Sequence, residues 1–126
     1  MRVLLVSPEP NTWNSRKHLP LGLGYLAAVL ERAGHTVVIY DAAVETEPLD
    51  SALRVAQGFD LVGVSAVTPL IYEAWQVAAK AKALGYTTIL GGPHLTLMPE
   101  ESIVRPEVDL VARGEAEDTI LEVMDA

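Results

Sequence analysis

The chain has 126 residues, half of them hydrophobic and 21% charged, with a net charge of −8 and no cysteine. That length and balance suit one folded domain with its own core, not a disordered segment. The acidic excess repels phosphate backbones and anionic lipid, so neither nucleic acid nor a membrane is an expected partner, and the lack of cysteine excludes disulfides, thiolate metal sites and a thiol nucleophile.

The opening residues Met1-Arg2-Val3-Leu4-Leu5-Val6 run straight into Ser7-Pro8-Glu9-Pro10. This apolar run is too short for the core of a signal peptide, and a cytoplasmic location is expected. Val3 to Val6 is nearly continuous in hydrophobicity, as a central strand covered on both faces requires. A long polar loop, Ser7 to Lys17, follows. Leu23, Leu26, Ala27 and Leu30 then fall at helical spacing ahead of Gly34, a natural C-cap. Val37-Val38-Ile39-Tyr40 reads as the second strand. Ala52, Val55, Ala56 and Phe59 repeat the helical period, with Gly58 as a stop.

Leu61-Val62-Gly63-Val64-Ser65 is the third buried strand, and Thr68-Pro69 supplies an N-cap and a first-turn proline. The next helix turns Ile71, Ala74, Trp75 and Ala78 inward and ends at Gly85. Thr87-Thr88-Ile89-Leu90 is the fourth strand, broken by Gly91-Gly92-Pro93-His94. The uncharged stretch 83–99 contains too many glycines and prolines for a spanning helix. Met98 to Val104 predicts one or two helical turns. Val108 to Ala112 predicts the fifth strand, and Glu115, Glu117 and Asp118 open a last helix through Ile120, Leu121 and Met124. Alternating strands and helices predict an α/β fold: a doubly wound, five-stranded parallel sheet of flavodoxin-like (Rossmann-like) order 2-1-3-4-5, one domain over 1–126.

Ligands of such sheets lie outside the carboxyl ends of the strands. The loops there hold Ser65-Ala66-Val67-Thr68, Gly91-Gly92-Pro93-His94-Leu95-Thr96 and Gly114-Glu115. Glycine pairs let a ligand touch the backbone, and hydroxyls at a helix start add hydrogen bonds. Equally, Gly91-Gly92 reads as a turn and Thr68 as a cap. Glu9, Asp41 and Glu115 lie near strand ends, yet no nucleophile stands beside a base, and surface carboxylates are the preferred reading. Trp75 is expected in the core and His35 in a structural turn. Trp13 either anchors its loop or faces a ligand.

The segments His18 to His35 (HLPLGLGYLAAVLERAGH), Leu61 to Pro69 (LVGVSAVTP), Gly91 to Thr96 (GGPHLT) and Val108 to Glu115 (VDLVARGE) resemble the amino-terminal cobalamin-binding domain of B12-dependent radical SAM proteins. The resemblance implies a corrinoid, with its cobalt, across the strand ends. Ser65, Val67, Thr68, Gly91, Gly92, His94, Gly114 and Glu115 would line the cofactor, with Leu21, Gly22 and Gly24 under the ring. It implies neither a catalytic residue nor a side-chain ligand to the metal here. The longer-known Asp-x-His-x-x-Gly motif is absent around His18, and Ala116 replaces a glycine of the family's Gly-Glu-Gly-Glu. The family's 4Fe-4S cluster and S-adenosylmethionine need a three-cysteine motif that this chain lacks, so they belong to a radical SAM catalytic domain in cis or in trans. The alternatives are a flavin- or nucleotide-binding flavodoxin-like carrier and a receiver-like signalling domain. The first lacks a phosphate loop after strand 1. The second lacks its phosphoacceptor aspartate, since Ser65 ends strand 3.

Overall fold

The computed structural model describes residues 1–8, 21–42, 45, 47–65, 71–92, 95, 98–112 and 117–125. Its strands are β1 (Arg2–Ser7), β2 (Thr36–Asp41), β3 (Leu61–Ser65), β4 (Thr87–Gly91) and β5 (Leu110–Val111). They form one parallel sheet in the order β2-β1-β3-β4-β5. The helices are α1 (Leu21–Arg32), α2 (Leu49–Leu53), α3 (Ile71–Ala83), α4 (Pro99–Ile103) and α5 (Glu117–Asp125). The flavodoxin-like arrangement expected from the alternating pattern is the one present.

Side chains alternate along a strand, so the continuous apolar runs of β1 and β3 feed two cores at once. Leu4, Val6, Val62, Val64 and Leu90 pack under α2 and α3 with Leu53, Ala74, Trp75 and Ala78. Val3, Leu5, Leu61 and Ile89 pack on the opposite face under α1 and α5 with Leu23, Leu30, Ile120 and Met124. Two helices end alike. Gly34 and Gly85 adopt φ of 97° and 84°, and the next residues, His35 and Tyr86, donate their N–H groups back to Leu30 and Ala81 at 3.1 Å.

Two expected elements are shorter. The second helix stops at Leu53, leaving Val55 and Ala56 outside it. The carbonyl of Leu53 accepts the Tyr86 hydroxyl at 2.7 Å, the position a further helical N–H would occupy. Phe59 is buried nonetheless, edge-on to Tyr86 at 5.9 Å, so its hydrophobicity serves the approach to β3. The fifth strand keeps only Leu110–Val111 of the expected Val108 to Ala112. Here Asp109 works through its side chain: its carboxylate accepts the Thr88 N–H at 2.8 Å, while its own N–H donates to Thr88 Oγ1 at 3.1 Å. Trp75 is 8% exposed, as expected of a core residue, and its indole N–H donates to Ser102 Oγ at 2.8 Å.

Candidate functional site

The carboxyl end of the sheet is floored by small residues because the apolar runs stop there. One position past the Val6–Val64 pairing, Ser7 and Ser65 close β1 and β3. Ser65 pairs in register with Gly91, the last residue of β4, and both are half-buried. A Cβ added to Gly91 would meet Ala112 at 3.6 Å, ordinary van der Waals contact, so packing among the described residues does not demand glycine there. Gly92 does need to be glycine: its φ of 110° strains any L side chain. Leu95 is fully buried in the α3-side core.

The structure thus brings Ser65, Gly91 and Gly92 of the expected lining together. Leu21 and Gly22 form the first turn of α1, and Gly24 follows on its exposed side with no atom within 4 Å of an added Cβ. Val67, Thr68, His94, Gly114 and Glu115 lie outside the described residues, as do Glu9, Trp13, His18, Arg113 and Ala116. Asp41 corrects the surface reading of the strand-end carboxylates: at the end of β2 it is 7% exposed, with interactions of its own. Its charge argued for the surface, but the strand it terminates carries it inward beside Ser7, whose carbonyl accepts the Ala42 N–H at 3.0 Å. Ser7 and Ala112 are site-edge residues that the sequence reading passed over; their place directly after apolar runs was the available signal.

His35 has a structural partner, its Nδ1 lying 3.2 Å from the N-terminal amine of Met1. Among the described residues no group of three or more His, Asp or Glu is placed to hold a metal ion, and no helix is long and apolar enough to cross a membrane. In the first turn of α3, Oε2 of Glu73 is a buried acceptor without a hydrogen-bond partner among the described residues. Among the described residues the arrangement offers a small-residue floor with the strand-end serines Ser7 and Ser65 and no acid–base pair. Such a floor suits holding a large flat ligand, and no bond-breaking machinery is evident among the described residues.

The family described as the B12 binding domain matches residues 15–124. An uncharacterized methyltransferase of Pyrococcus horikoshii is 36% identical over all of this chain, which spans 29% of that protein. The anaerobic magnesium-protoporphyrin IX monomethyl ester cyclase of Rubrivivax gelatinosus is 32% identical, again over all of this chain and 24% of its own length. Among solved structures, the radical S-adenosylmethionine methyltransferase TsrM of Kitasatospora setae, with cobalamin and a [4Fe-4S] cluster bound, superposes with a TM-score of 0.84 at 21% identity, covering 99% of this chain and 26% of that one. The chain therefore spans about a quarter of the length of each of these three proteins.

Proposed function

The chain belongs to the B12-binding domain family, and from that premise we propose that it is a module holding cobalamin over the carboxyl ends of its strands for a radical SAM catalytic domain. The residues present fit the group. A corrinoid needs a floor without large side chains, and Ser65, Gly91, Gly92 and Ala112 provide one. The observation that carries the reading is Gly91, a glycine that packing among the described residues does not require at the spot where a ligand would touch the backbone.

In this reading Gly91 and Gly92 would let part of the cofactor lie against the main chain, and the Ser65 hydroxyl would hydrogen-bond its polar groups. By the resemblance in sequence, Val67, Thr68, His94, Gly114 and Glu115 would complete the wall, and Leu21, Gly22 and Gly24 would lie under the ring. When bound, cobalamin supplies methyl-transfer or redox chemistry at cobalt; this chain binds, orients and shields it. The cluster and S-adenosylmethionine belong to the catalytic portion, fused in cis or supplied in trans. The module works in the cytoplasm, without nucleic acid or membrane as partner.

Absorption titration with hydroxocobalamin tests this, with FMN as the control ligand. The chain should bind cobalamin saturably, and Gly91→Ala should weaken binding at least ~10-fold while leaving the unliganded chain within about 0.5 kcal/mol of its original stability. Flavin binding in place of cobalamin would overturn the reading in favour of a flavodoxin-like carrier. Undiminished cobalamin binding by Gly91→Ala would move the site away from β4.

A further inference from the structure

The two edges of the sheet are treated differently. β5 is blunted: its backbone ladder is two residues long and Asp109 replaces the rest with side-chain bonds. β2 is a six-residue edge, Thr-Val-Val-Ile-Tyr-Asp, with no proline and no charge before its last residue. Long, flat, uncharged edges are templates for another strand.

The backbone shows which groups are on offer. Thr36 and Ala42 donate their N–H groups to Met1 and Ser7 at 2.9 and 3.0 Å, so the even-numbered residues of β2 face β1. The N–H and C=O groups of Val37, Ile39 and Asp41 therefore point outward. The Asp41 carbonyl is taken by the Glu45 N–H at 3.0 Å. Val37 and Ile39 find no outer partner among the described residues. Side chains agree. Val38, on the α2 and α3 face, is 41% exposed, and Ile39, on the α1 face, is 37% exposed. A helix laid on one face would cover only one of them; a strand laid alongside covers the flanks of both.

We infer that β2 pairs with β2 of a second copy of this chain, antiparallel about a two-fold axis at Val38. That register is the one in which the open groups satisfy each other. Val37 forms a hydrogen-bonded pair with Ile39 of the other copy and Ile39 with its Val37, while Val38 meets Val38 across a non-hydrogen-bonded pair. A register centred on Ile39 would call on the Asp41 carbonyl, which Glu45 already occupies. The pairing places no like charges opposite each other and joins both sheets into one. A single strand edge falls short of the ~1,200 Å² of a stable interface, so the dimer is a weak, concentration-dependent one. With −8 on each copy it strengthens as salt rises.

The absence of cysteine makes the register directly testable. Opposed Cα atoms of a non-hydrogen-bonded pair lie about 4.5 Å apart, within disulfide reach. Under mild oxidation Val38→Cys should form a covalent dimer at least ~10-fold faster than Ile39→Cys or the equally exposed Val55→Cys. Sedimentation of the unmodified chain should show a dimer fraction that rises with concentration and salt and is lost in Val38→Lys, whose circular dichroism should be unchanged. Equal cross-linking rates for the three cysteine variants, or a monomer at every concentration, would overturn the pairing. Neither readout involves cobalamin, so this inference and the cofactor reading stand or fall separately.

Discussion

Gly63 sits in the middle of β3, between Leu5 of β1 and Ile89 of β4, on the face covered by α1 and α5. An added Cβ would come within 2.9 Å of Leu5 Cδ2 and 3.6 Å of Ile89 Cγ2. Leu5 is 1% exposed, so its methyl can yield only by displacing other packed side chains. Gly63→Ala is therefore expected to cost about 1–3 kcal/mol in urea unfolding, through overpacking alone. Adding Leu5→Val, which removes the crowded methyl, should recover part of that loss, whereas a cost unchanged in the double variant would place the strain elsewhere. Gly91 is the opposite case: there a Cβ has room, and substitution should be felt by a ligand before it is felt by the fold.

At the scale of elements, the clasp between β4 and the entrance to β5 decides how much of the last strand forms. Thr88 is fully buried; its hydroxyl donates to the Glu107 carbonyl at 2.6 Å, and its N–H donates to Asp109, which also takes Lys82 Nζ at 2.6 Å. Burial pushes the Asp109 carboxyl up, but the hydrogen bonds from Lys82 and the Thr88 N–H outweigh it and hold the group below the ordinary aspartate range. A carboxylate with a depressed folded value contributes stability that is present above its unfolded pKa, about 3.9, and is lost as pH falls through the folded value. Acid unfolding of the chain should therefore be less steep below about pH 4 in Asp109→Asn, which at pH 7 should cost about 1–3 kcal/mol by leaving Thr88 and Lys82 poorly matched. An unchanged acid limb would remove Asp109 from the clasp.

The same clasp explains what local pattern leaves unread. β1, α1, β3 and α3 follow from periodicity and glycine stops because the forces that define them are local. The fifth strand and second helix are trimmed by Asp109 acting on Thr88, 21 residues away, and by Tyr86 acting on Leu53, 33 residues away. No window of sequence contains those partners. The neighbouring of Ser65 and Gly91 was legible, since each ends an apolar run; the burial of Asp41 was not, since charge argues for the surface.

For the whole molecule, the decisive feature is that the proposed floor is built by strands from the middle of the sheet. β1, β3 and β4 carry both cores, so a ligand held at Ser65 and Gly91 is held by the most deeply packed part of the chain. Binding that favours the folded state adds about 2.7 kcal/mol when free ligand stands at 100 times its Kd. For a domain of this size that corresponds to a rise of roughly 10 °C in Tm. Because the strands that form the floor also form both cores, the rise is expected in one cooperative transition of the entire chain. Calorimetry at increasing hydroxocobalamin should show a single peak moving upward with concentration. A stationary peak, despite binding seen by absorption, would mean that the cofactor is gripped by peripheral segments whose opening is independent of the sheet, and would take the site off the ends of β3 and β4.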